Sequence, residues 1–197
     1  ANPSPLMHAG YGIQVNSQGK RFVEETWLQV PKAKAIAERT PDNISYMLIG
    51  QDADKNSNIL TNTLARFRRL GYEVPSGNTI EEVAKKAGVP VNNLLATVKE
   101  FNAAVKKGKC KELVPPYSYD EPHALETGPY YMIPAAGGIA STFGGPKING
   151  KAEVVNTENR TIPGLYAAGA AAGGVWYQDD IGGNQLGGCM VFGRVAG

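Results

Sequence analysis

Glycine placement is the feature that most limits what this chain can fold into. Fifteen of the 24 glycines fall between Gly137 and Gly197. Backbone without Cβ can adopt positive φ and can approach other backbone or a ligand closely, so the last third is organised around close approach. The first two-thirds has ordinary texture and suits a conventional core. The change divides the 197 residues into a first domain over 1–129 and a second over 130–197. Hydrophobic residues make up 42% and charged residues 19%, enough apolar material for a core and too much for a disordered chain.

Charge and cysteine content exclude several classes. A net charge of +2 gives no clustered basic excess, so no nucleic-acid partner is expected. No stretch approaches the ~18 apolar residues of a membrane span. Ala1 to Leu6 lacks a charged-then-apolar leader. The compartment is read as cytoplasmic, with the periplasm as the alternative. Two cysteines exclude a disulfide framework and a four-cysteine metal site, and no metal is expected. Cys110, in a lysine-rich stretch, is expected to be exposed; Cys189, among apolar residues, is expected to be buried.

Local patterns predict a mostly helical α+β unit first. Gly12 to Val15 and Tyr46 to Ile49 read as strands, with a turn at Asn16 to Gly19. Pro31 suits the first turn of a helix to Arg39. Leu60, Leu64, Phe67 and Leu70 recur at helical spacing before Gly71. Thr79 with Glu82 three residues on fits a capping box, opening a helix that stops at Gly88. Asn92 or Asn93 caps a longer helix with Leu95, Val98, Phe101, Asn102 and Val105 on one face, ended by Gly108. Beyond Tyr130, strands are expected at Tyr130 to Ile133, Ala152 to Val155 and Leu165 to Ala168. A helix is expected from Gln185 to Val195. A buried strand, a glycine loop and a helix N-terminus together favour an anionic or electron-rich ligand.

Several segments carry a family likeness. Thr161-Ile162-Pro163-Gly164-Leu165-Tyr166-Ala167-Ala168-Gly169 resembles the C-terminal FAD motif of the fumarate reductase/succinate dehydrogenase flavoprotein family. Gly173-Gly174, Gly182-Gly183-Asn184 and Val191 to Gly197 follow in the family's order. Upstream, Gly144-Gly145, Ala152 to Asn156, and Gly12 to Glu25 with its Arg21-Phe22-x-x-Glu25 run are similar to the same family. The resemblance implies an α/β fold: an α+β cap domain, then the C-terminal part of a Rossmann-like FAD-binding domain. It implies FAD, with Gly169, Gly182, Gly183, Asn184, Gln185 and Leu186 beside the cofactor. A helix opening at Asn184 would aim N–H groups at the ring edge that turns negative on reduction. The family's G-x-G-x-x-G fingerprint does not occur in the sequence. An N-terminal FAD-binding half or a second polypeptide is therefore the expected partner.

The substrate positions depart from the family. Its fumarate reductases clamp a dicarboxylate with two arginines and a histidine. The matching positions hold Gln29, Ser141 and Asp180. A dicarboxylate is therefore not expected. Steroid dehydrogenases look similar in the same region and grip a ketone with a glycine N–H and a tyrosine. The glycine matches Gly183, and the tyrosine position falls at Asp179 beside Tyr177. Tyr177, Asp179 and Asp180 are the candidate proton-handling residues, with His8 behind them. Gln29, Ser141 and Gly183 are the candidate substrate contacts. Trp176, Tyr177, Tyr130 and Tyr131 suit the walls of an apolar, ring-shaped substrate. The expected chemistry is hydride transfer at flavin N5 across a carbon–carbon bond next to an activating group. The alternative is a non-catalytic piece that completes a flavoprotein site with another chain.

Overall fold

The computed structural model describes residues 10–54, 58–138, 142–176 and 184–197. The chain forms two compact units, 1–137 and 138–197.

The first unit is built on a four-stranded sheet in the order β1-β2-β4-β3: β1 Gly12–Asn16, β2 Ile44–Gly50, β3 Ser76–Gly77 and β4 Tyr130–Ala136. All pairings are antiparallel, with Ile13 opposite Leu48 and Leu48 opposite Met132. Both faces are covered, and the strands read accordingly as apolar runs. Leu48, Tyr130 and Met132 point to one core with Ile13 and Val15. Met47, Ile49 and Ile133 point to the other.

Among the described residues four helices flank the sheet: α1 Gln29–Arg39, α2 Ile59–Arg69, α3 Ile80–Ala87 and α4 Val91–Lys107. Helices α3 and α4 cover the first face through Ile80, Val83, Leu94, Val98 and Phe101. Helix α2 covers the second through Leu60 and Phe67. The expected capping box forms: the Glu82 N–H donates to Thr79 Oγ1 at 3.2 Å. Glu82 Oε2 in turn accepts from the N–H of Asn78, one residue before the cap. Helices α3 and α4 end at Gly88 and Gly108 as expected.

Three local expectations shift. Pro90, not an asparagine, precedes α4, and Asn93 instead donates its Nδ2 to the Gln18 carbonyl at 3.0 Å. The buried stripe of α4 runs through Leu94, Val98, Phe101 and Ala104, because the sheet lies one residue round the helix from the expected face. Asn102 sits at its edge, exchanging two hydrogen bonds with the backbone of Leu125. Leu70 is exposed, because α2 ends at Arg69 and the chain turns away there.

The unit break follows Gly137, eight residues beyond the expected start of the second domain. Tyr130–Ala136 is hydrogen-bonded along its length to β2 and so belongs to the first unit. Tyr130 and Tyr131, two of the tyrosines expected to wall a substrate, pack into this unit. Tyr130 is buried in one core. Tyr131, on the opposite face of β4, rims a surface pocket of about 380 Å³ with Leu64, Arg68 and Tyr72.

The cysteine expectations reverse. Cys110 is only 4% exposed and closes the first core, while Lys109 and Lys111 beside it reach solvent. Cys189 is exposed.

The second unit holds the antiparallel hairpin β5 Glu153–Val155 and β6 Thr161–Tyr166, and the helix α5 Asn184–Ala196. Strand β6 begins four residues before the expected strand. Pairing carries it through Pro163-Gly164, with an irregularity in register opposite. Asn156 closes the hairpin turn, its Oδ1 accepting from the N–H groups of Glu158 and Arg160.

Candidate functional site

Two glycines of the second unit serve each other. A Cβ on Gly173 would run into the Gly145 carbonyl oxygen, and one on Gly145 into that of Ala171. The Gly173 N–H donates to the Pro146 carbonyl at 2.9 Å, and a parallel bridge joins Lys147 to Gly173. The paired-glycine segments thus cross backbone to backbone, holding the chain before β5 against the chain after β6.

Gly169 opens a 3₁₀ turn, Gly169–Ala171, in the left-handed region at φ 67°. A Cβ there would stand 3.3 Å from Cys189 Sγ on α5. The turn therefore lies close against α5, and the positive φ itself favours glycine there.

Helix α5 runs for 13 residues with no acidic residue in its first turn. The first N–H groups of a helix have no intrahelical acceptor and carry a partial positive charge. Asn184 and Gln185 open it, as the sequence implied. Leu186 follows with its side chain exposed. Gln185 Nε2 is buried and has no hydrogen-bond partner, the only such side-chain atom among the described residues. A buried donor without an acceptor is costly in a native protein and points to an acceptor from outside the chain. A helix N-terminus without an acidic residue in its first turn and an orphaned amide together form a donor-rich patch. It fits an electron-rich or anionic ring edge, so FAD is compatible with the residues present.

The remaining site residues are distributed as follows. Trp176 lies beside α5: a Cβ on Gly188 would be 3.8 Å from its Cζ2. Tyr177, Asp179, Asp180, Gly182 and Gly183, which follow it in sequence, lie outside the described residues, as do Ser141 and His8. Gln29 is the first residue of α1 and is exposed.

What holds Gln29 in place was not legible as a site. Glu25, 1% exposed, accepts from the Gln14 N–H at 2.9 Å and from Arg21 through Nε at 2.9 Å and Nη2 at 2.6 Å. Arg21 also donates to the carbonyls of Pro115 at 2.8 Å and Pro116 at 3.0 Å, and lies over the Tyr117 ring. The Glu25 carbonyl accepts from Lys32 Nζ and from the Tyr119 hydroxyl, both at 3.0 Å. Burial pushes the Glu25 carboxyl up, opposed by Arg21 and the Gln14 N–H. Burial brings Lys32 down to about 8, opposed by the charge of Glu25. Burial likewise raises Tyr119 to about 12. The Arg21-x-x-x-Glu25 spacing was the available signal: an ion pair four residues apart, in a chain that must bury it. Both cations on this segment are committed to Glu25, so no guanidinium or ammonium of the cluster stands ready for a ligand at Gln29.

Comparison with known proteins agrees with this geometry. Residues 8–186 match the family described as FAD binding domain. The chain is 35% identical over 185 residues to a fumarate reductase (cytochrome) of Shewanella frigidimarina, covering 94% of this chain and 31% of that protein. It is 36% identical over 194 residues to a urocanate reductase of Eggerthella lenta, covering 94% and 30%. Its fold matches the open conformation of a flavocytochrome c3 fumarate reductase with a TM-score of 0.73 at 30% identity, covering 98% of this chain and 33% of that one. The chain spans about a third of the length of these relatives.

Proposed function

The chain belongs to the FAD binding domain family, and on that premise we propose that it is the cap and C-terminal flavin-contacting part of an FAD-dependent oxidoreductase. The reaction reduces or forms a carbon–carbon double bond next to an electron-withdrawing group. FAD, when bound, supplies hydride exchange at its N5. Gly169, Gly182, Gly183, Asn184, Gln185 and Leu186 are the cofactor-side residues. The observation that carries this reading is the start of α5, where Gln185 Nε2 is buried with no hydrogen-bond partner among the described residues. An N-terminal dinucleotide-binding half, in the same or a second polypeptide, completes the site.

The substrate is a small molecule that is not a dicarboxylate, with an apolar or ring-shaped body. Gln29 is neutral, and the buried cations near it in sequence are spent on Glu25. Ser141 and Gly183 are the other substrate-side residues. The named activities of the relatives, on fumarate and on urocanate, are both reductions of an activated double bond. The proton at the carbon next to the hydride acceptor is handled by Tyr177, Asp179 or Asp180, on the segment directly after Trp176. Gln29 orients the substrate without charging it.

A flavin-loaded, full-length enzyme assayed with reduced viologen tests this. Turnover is expected on a cyclic enone or an unsaturated monocarboxylate, and not on fumarate at a useful rate. Fast fumarate turnover would overturn the substrate assignment. Tyr177→Phe, Asp179→Asn or Asp180→Asn should lower turnover ~10²-fold or more with flavin retained. If all three stay within about threefold of the parent, which is less than proton transfer normally contributes, the segment is not the proton donor.

A further inference from the structure

Gln185 carries a further assignment, which rests on the reading that flavin meets the start of α5. Positions 185, 188, 189 and 192 share one face of the helix. Gln185, Gly188 and Phe192 on that face are half-buried, Gly188 near Trp176, while Cys189 beside them is exposed with its sulfur near Gly169. Leu186, Met190 and Val191, on the other side, are exposed. Gln185 thus stands at the N-terminal end of that half-buried stripe. Its Nε2 is buried there without an acceptor. The chain offers no carboxylate in that first turn to accept from it. A native core keeps such a donor where a group from outside the chain accepts the bond.

We propose that the Gln185 side chain is a hydrogen-bond donor to the pyrimidine edge of the bound flavin, and that it sets the reduction potential of that flavin. The assignment is separate from the backbone N–H groups of the same turn, which any residue at this position would supply. A donor binds a charged acceptor more strongly than a neutral one. The pyrimidine edge gains negative charge on reduction, so the carboxamide favours the reduced state. Leucine at 185 would keep the bulk and the backbone while removing the donor.

The test is the midpoint potential of bound FAD in the full-length parent, Gln185→Leu and Gln185→Glu, with flavin content read from absorbance. Gln185→Leu should retain flavin and shift the reduction equilibrium about tenfold toward the oxidised form, as expected for one hydrogen bond to a charged group. For a two-electron couple that is ~30 mV more negative. Gln185→Glu, which replaces the amide by a carboxylate of the same shape, should shift it further in the same direction. It also serves if the leucine variant fails to fold. Loaded variants at the parent potential would overturn the assignment. So would an unchanged potential with a raised KM, which would address the donor to the substrate. A full-length parent that binds no flavin would instead sink the underlying reading, before any variant is made.

Discussion

Removing Arg21 should be among the most damaging single changes to the first unit. Its guanidinium is 6% exposed and donates to both oxygens of Glu25, which is 1% exposed, and to the carbonyls of Pro115 and Pro116. Arg21→Ala leaves the Glu25 carboxylate buried against the Gln14 N–H, without its guanidinium. Breaking a buried pair from one side costs about 3–5 kcal/mol. The two carbonyls add roughly 1 kcal/mol each if left without donors. At a urea slope of about 2 kcal/mol/M, the midpoint should fall by about 3 M. Arg21→Lys keeps the charge but not the fork, and should fall between the parent and alanine. The decisive comparison is the double variant Arg21→Met with Glu25→Gln. With no orphaned charge, it should cost at least ~2 kcal/mol less than the two single changes added together. Additive costs, or a loss under ~1 kcal/mol for Arg21→Ala, would refute the view that this pair anchors the segment carrying Gln29.

Lys32 sits at about 8 in the folded protein, below its ordinary value, because burial disfavours its charge. The unfolded chain therefore binds the proton more readily between pH 8 and pH 10.5, and this lysine makes the protein more stable as pH rises through that window. Relative to Lys32→Met, parent stability should climb toward ~1.4 kcal/mol per pH unit there, read from denaturant melts at stepped pH. Gly173→Ala, whose Cβ meets the Gly145 carbonyl, should destabilise the second unit by ~2 kcal/mol or more. Hydrogen exchange should speed up around Lys147 and Gly173, with α3 and α4 unaffected. Thr79→Ala removes the side-chain acceptor of the α3 cap and should cost ~1 kcal/mol in a thermal melt, with little effect on flavin.

The sequence alone determined the features that depend on local chemistry. The capping box at Thr79, the glycine stops after α3 and α4, and the strand runs of β1, β2 and β4 are each written within a few residues, because propensity and hydrogen bonding act over one turn. The ordered motifs around Gly169 and Asn184 carried the family for the same reason: each specifies a backbone conformation in place. The tertiary structure decided what depends on distant partners. It gave β4 to the first unit because β2 pairs along its length. It sent Cys110 inward although lysines flank it, since burial is settled by the core that the side chain meets and not by its neighbours in sequence. It made the Arg21 and Glu25 pair a buried anchor, which requires carbonyls some 95 residues away. It also left Gln185 Nε2 buried without an acceptor. A sequence names the donor, but only packing can show that nothing among the described residues comes to meet it.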